Sequence, residues 1–140
     1  MVKSNRPSEL AYQEVAIIPE HLSAGILYVS LKYEIAVHLC ACGCMNKVVT
    51  PLTRAYWTLS RSKKGVTLRP SIGNWDFSCR SHYFIREGVV VWAKSYSDNQ
   101  MNSVRKKDRL DREIFAKELG ENRNVFSGLL NKLVKSWKRK

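Results

Sequence analysis

All four cysteines of the chain fall in two short segments, Cys40-Ala41-Cys42-Gly43-Cys44 and Cys79-Arg80-Ser81-His82. Thiolates one residue apart can both face one metal ion if the backbone turns tightly between them, and Gly43 supplies the freedom for that turn. Zinc suits the donor set best, because it takes sulfur and imidazole in a tetrahedral array. The C-x-x-C spacing of a thioredoxin-like redox pair is absent. Five side chains compete for four positions: Cys40, Cys42, Cys44 and Cys79 form an all-thiolate site, or His82 replaces one of them. The all-thiolate set is preferred because it uses every cysteine, and it leaves His82 available for other chemistry.

Covalent catalysis would need a nucleophile, a base and donors for an oxyanion. The chain has three histidines, and His21 sits in a turn-like Pro-Glu-His-Leu segment, so the base is His38 or His82. Ser71, within Pro-Ser-Ile-Gly, and Ser81 are the candidate nucleophiles. Neighbours in a strand point to opposite faces, which separates Ser81 from His82 and leaves Ser71 with His82, or Ser81 with His38. Asp76 could orient an imidazole, and Arg80 could hold a terminal carboxylate or an oxyanion. A hydrolase with three protein ligands on zinc and water in the fourth position is the variant mechanism. The metalloprotease motif H-E-x-x-H, the deaminase pattern and the phosphate-binding glycine loop do not occur, which sets those reactions aside. Plainer roles stand beside these: Ser71 as a turn residue, His38 as a packed core residue, Trp57 and Trp75 as covering aromatics.

These residues need a scaffold of strands. An apolar run from Tyr12 to Pro19 reads as a strand closed by a turn, and residues 26 to 39, rich in β-branched and aromatic side chains, read as one bent strand or two. Further short strands are expected at 47–50, 56–60, 66–68, 82–85 and 89–94, with Pro51, Gly65, Pro70, Gly73 and Gly88 between or beside them. The body is therefore expected to be a β meander. Beyond Asp98 the pattern turns helical: Leu110, Ile114, Phe115 and Leu119 precede Gly120, a residue suited to ending a helix. A second helix is expected after Asn122–Asn124, carrying an apolar stripe from Val125 to Trp137. The expected class is α+β, with a mainly antiparallel, zinc-stabilised β domain over residues 10–97 and a basic extension of two helices over 98–140.

A net charge of +12 on 140 residues favours acidic partners, and +7 of it lies in residues 104 to 140. Arg123, Lys132, Lys135, Lys138, Arg139 and Lys140 could bind nucleic acid, with affinity that salt would weaken. The longest apolar stretches fall far short of the roughly 20 residues of a membrane span, and the first residues carry no secretory signal, so a cytoplasmic location with reduced thiols is expected.

The motifs also carry a resemblance. Ile18-Pro19-Glu20-His21-Leu22, Gly25 to Ser30, His38 to Cys44, Thr50-Pro51-Leu52, Trp57, Leu68-Arg69-Pro70-Ser71-Ile72-Gly73-Asn74-Trp75 and Cys79 to Tyr83 occur in an order that resembles a bacterial family of small proteins named only as a domain of unknown function. The resemblance spans roughly Ile18 to Trp92. It implies a setting among ubiquitin-activating-like, ubiquitin-conjugating-like and multi-ubiquitin-like proteins, a connection with phage defence, and a peptidase that processes or removes the ubiquitin-like protein. Many relatives carry a further glycine after the third cysteine where this chain has Met45, and the basic tail lies outside the shared region. Two other function classes stay open: a non-catalytic, zinc-stapled adaptor of the same pathway, and a nucleic-acid-binding module.

Overall fold

The computed structural model describes residues 6–137, with side chains described through residue 121. It divides into two units, Met1–Ser97 and Asp98–Lys140, each taken by itself below.

The first unit contains eight strands in two four-stranded sheets. Sheet one runs in the order β1 (Ala11–Glu14), β2 (Ile26–Ser30), β3 (Ile35–Leu39) and β4 (Lys47–Pro51). Sheet two is a meander of β5 (Thr58–Ser62), β6 (Gly65–Gly73), β7 (His82–Arg86) and β8 (Val89–Trp92). All pairings are antiparallel except β1 with β2, so the expected meander holds for sheet two and is modified in sheet one. The apolar run that begins at Tyr12 is strand only to Glu14, and the segment after it continues alongside β2: Val15 N donates to the Val29 carbonyl and Ser30 Oγ to the Ala16 carbonyl, both at 2.9 Å.

One core lies between the sheets. Leu27, Val29, Ala36, Val48 and Cys40 from the side of sheet one meet Val66, Leu68, Ile72, Tyr83, Ile85 and Val90 from sheet two, all at most 8% exposed. Each large aliphatic side chain buried there contributes on the order of 1.5–3 kcal/mol. The segment before β1 ties the two sheets at their edge: Glu9 bridges Val89, and Leu10 N donates to the Gly88 carbonyl at 2.7 Å.

β6 is longer than its sequence pattern suggests because it absorbs an irregularity. Leu68 pairs with Ile85 and Ile72 pairs with Tyr83, so three residues of β6, Arg69 to Ser71, oppose only Phe84. The two extra residues preserve parity. Leu68 and Ile72 both face the core, while Ser71 and Gly73 face outward together with His82 and Phe84.

The second unit corrects the expectation of two helices. One helix, α1, runs from Asp98 to Trp137 without a break. A glycine that ends a helix commonly does so in a left-handed conformation, and Gly120 is not among the residues with positive φ. Kept helical, it costs about 1 kcal/mol relative to alanine, which the flanking helix formers tolerate. The apolar stripe of residues 125–137 and the basic side chains from Arg123 onward lie outside the residues whose side chains are described. Among the described residues, no helix is long and apolar enough to cross a membrane.

Candidate functional site

The loop between β3 and β4 is closed by Cys40 N donating to the Asn46 carbonyl at 2.8 Å, with Gly43 N donating to the Cys40 carbonyl at 3.1 Å inside it. Gly43 and Met45 both take left-handed conformations, with φ of 89° and 64°. Such turning gathers Cys40, Cys42 and Cys44 onto one side. Across from them, two successive turns between β6 and β7 return Cys79: Phe77 N donates to the Asn74 carbonyl, and Arg80 N to the Phe77 carbonyl.

The four sulfurs lie within 4.8 Å of one another. Cys40 is 3.5 Å from Cys42 and 3.9 Å from Cys79, and Cys44 is 3.8 Å from Cys79. A zinc–sulfur distance of about 2.3 Å implies sulfur–sulfur edges of about 3.8 Å in a tetrahedron, so the group fits a four-thiolate metal site. Neighbouring donors face the sulfurs: Cys44 N lies 3.3 Å from Cys42 Sγ, Asn46 Nδ2 3.3 Å from Cys44 Sγ, and Asn74 Nδ2 3.6 Å from Cys40 Sγ. Burial pushes the Cys40 and Cys42 thiols upward. Burial also acts to raise Cys79, but its hydrogen bonds with Ser81, Cys42 and Cys44 outweigh that and hold it at about 7.

Ser81 belongs to this cluster. Its hydroxyl accepts from Asn74 Nδ2 at 2.9 Å and lies 3.0 Å from Cys40 Sγ and 3.4 Å from Cys79 Sγ. His38 is also held in the core, where its Nε2 bonds the Tyr83 hydroxyl at 2.8 Å across the two sheets. Burial pushes the His38 imidazole down to about 4. The expected alternative of Ser81 paired with His38 is not formed; each has other partners.

The other pairing is formed. His82 Nε2 lies 2.9 Å from Ser71 Oγ, and His82 Nδ1 lies 3.0 Å from the Lys94 carbonyl oxygen. A carbonyl can only accept, so Nδ1 carries a hydrogen, and in that tautomer Nε2 is bare toward the serine hydroxyl. The register explains the contact: His82 pairs directly with Gly73, which places Ser71 diagonally opposite on the same outer face. Asp76, expected as a possible orienter, is exposed on the turn, and the Lys94 carbonyl occupies that place instead. His82, with both ring nitrogens engaged, is not part of the sulfur cluster.

The imidazole is 6% exposed because aromatic rings cover it. Trp75 meets it edge-on at 4.9 Å between centroids, Tyr96 lies 4.6 Å away, and these two rings stack on each other at 5.3 Å. Trp75 can lie there only over a glycine. A Cβ on Gly73 would come within 2.3 Å of the indole carbons.

Sequence reasoning missed three contributors. Asn74 lies inside the Ser71–Trp75 motif and was open to recognition as a buried amide beside the cluster; Tyr96 is a lone aromatic after β8. The Lys94 carbonyl is a backbone atom, for which side-chain identity carries no signal.

No curated protein and no solved structure matches the chain. Residues 14–93 match one family model, and that segment contains all four cysteines, Ser71 and His82. The chain therefore belongs to the family described as bacterial ubiquitination-like system serine protease (BubE).

Proposed function

We propose that the protein is a serine peptidase that processes or removes a ubiquitin-like protein, with Ser71 as nucleophile and His82 as general base. The observation that carries this reading is the hydrogen bond of 2.9 Å between Ser71 Oγ and a His82 ring whose tautomer is set by the Lys94 carbonyl. As Ser71 Oγ attacks a peptide carbonyl, its proton passes to Nε2. The imidazolium then returns that proton to the leaving amine, and a water activated by the same nitrogen releases the acyl group. A neutral carbonyl stabilises the imidazolium less than a carboxylate would. The stacked rings of Trp75 and Tyr96 compensate in part by fixing the imidazole and excluding water.

In this reading Cys40, Cys42, Cys44 and Cys79 hold a structural zinc ion. With four protein ligands it is closed to substrate, and its contribution is to lock the β3–β4 loop to the turn before β7. Ser81 and His38 then serve the cluster and the core rather than the reaction. A cytoplasmic setting keeps the thiols reduced, and the anti-phage context implied by the resemblance belongs to the same proposal.

The test is incubation of the zinc-loaded protein with a ubiquitin-like protein of the pathway bearing extra C-terminal residues. Cleavage that is lost in both Ser71→Ala and His82→Ala supports the reading. Cleavage retained by Ser71→Ala rejects it, and absence of cleavage by the unaltered protein favours the adaptor.

A further inference from the structure

Sheet one has a free edge at β4, and its unpaired groups can be identified. Cys40 N bonds the Asn46 carbonyl at one end of the β3–β4 ladder, and Leu52 N bonds the Glu34 carbonyl at the other. In an antiparallel pair bonded positions alternate, so Val48 and Thr50 turn their backbone groups to β3 while Lys47, Val49 and Pro51 turn theirs outward. The Pro51 carbonyl accepts from Trp57 N at 3.1 Å. Among the described residues, the outward N–H and C=O groups of Lys47 and Val49 have no such partner.

These groups border a cleft of about 270 Å³ whose lining includes Lys47, Val49, Trp57, Asn74 and Trp75. Trp57, which lines the cleft, also packs against the core, and among the described residues its buried Nε1–H has no acceptor. Trp75 walls the cleft and also packs against His82, so one side chain links the cleft to the Ser71–His82 pair. Unpaired edge amides and carbonyls bordering a cleft are complementary to one kind of ligand above others: an extended polypeptide main chain.

We propose that β4 takes an extended segment of the substrate protein as an added strand in the cleft between β4 and the Ile72–Phe77 turn, placing the chain that flanks the scissile bond beside Trp75. This rests on the peptidase reading and extends it with a binding mode. Lys47 and Val49 bond the substrate main chain at alternate residues. Main-chain recognition of this kind accepts an unstructured tail and rejects a folded domain, which suits removal of short C-terminal extensions.

The probe is a fluorescein-labelled ten-residue peptide spanning the cleaved bond of the ubiquitin-like protein, added to zinc-loaded Ser71→Ala protein. The expected results are binding, with slowed hydrogen exchange of the Val49 and Lys47 amides. Peptides N-methylated one residue at a time should lose affinity with a period of two, by about tenfold at each sensitive position. Val49→Pro, which removes an outward N–H at an edge position that tolerates proline, should raise KM about tenfold while kcat is kept. The N-methyl series uses a protein with an unaltered β4, so it decides the matter even if the proline variant misfolds. Binding without amide protection, sensitivity without a period of two, or no binding at concentrations that the active protein cleaves would each overturn the binding mode. If the active protein still cleaves and Ser71→Ala does not, those outcomes leave the peptidase reading intact.

Discussion

Ser81 and His82 are adjacent in sequence and point opposite ways where β7 begins, Ser81 toward the sulfurs of Cys40 and Cys79 and His82 toward Ser71. One residue step thus separates the cysteine cluster from the serine–histidine pair. Under the proposed function, a distortion of the cluster would reach the pair through the start of a single strand.

Replacing Ser71 or His82 with alanine is expected to lower turnover roughly a thousandfold or more each, and the double variant little further, because the two act as one unit. Lys94→Ala should stay within about threefold of the parent, since the group that orients His82 is a backbone carbonyl. Steady-state kinetics on the four proteins check this, and additive losses would refute a shared step.

Ser81→Ala should weaken metal retention rather than chemistry. The Ser81 hydroxyl joins Asn74 to Cys40 and Cys79, and losing such a supporting contact typically costs about 10–100-fold in metal affinity. Competition with a chromogenic chelator measures the affinity, and turnover under saturating zinc should be near the parent value.

In metal-free protein, Cys79 should alkylate ahead of Cys40 and Cys42. Its thiol is held at about 7, so the thiolate fraction rises as pH is raised through that value, while burial keeps the other two protonated there. By the same sign, metal affinity falls as pH is lowered, because protons compete for the ligands. Mass spectrometry after iodoacetamide pulses between pH 6 and 8 gives the order, and prior labelling of Cys40 would contradict the geometry.

Gly73→Ala should displace the Trp75 ring, which lies where the new Cβ would go. Fluorescence of Trp75 should shift toward the red as it meets water, and turnover should fall about tenfold or more as His82 loses its cover. An unchanged spectrum with unchanged kinetics would mean that the indole has no part in holding the imidazole.

Met45→Gly should raise stability by up to about 1 kcal/mol, because a non-glycine residue at a φ of 64° bears a steric cost that glycine escapes. Thermal unfolding of the zinc-loaded protein reads this directly. A lower melting temperature would show that the methionine side chain compensates for its backbone.

The position of this methionine is where the resemblance and the geometry meet: the resemblance implies glycine there in many relatives, and a left-handed backbone suits glycine. The rest of the Pro70–Trp75 motif reads as one device. Ser71 presents its hydroxyl, Ile72 fills the core, Gly73 makes room for Trp75, and Asn74 braces Ser81.

From residue order alone came the strand-rich body, the grouping of four cysteines and the opposite facing of Ser81 and His82. These follow from local rules, the alternation of strand side chains and the reach of thiolates around a tight turn. Whether Ser71 or Ser81 meets a histidine depended on the two-residue irregularity in β6, a property of its pairing with β7 that neither strand encodes by itself. The orienting Lys94 carbonyl likewise exists only once the chain after β8 passes His82, since a backbone atom is chosen by position and not by residue type. The unbroken helix through Gly120 was decided by backbone conformation, glycine permitting both outcomes.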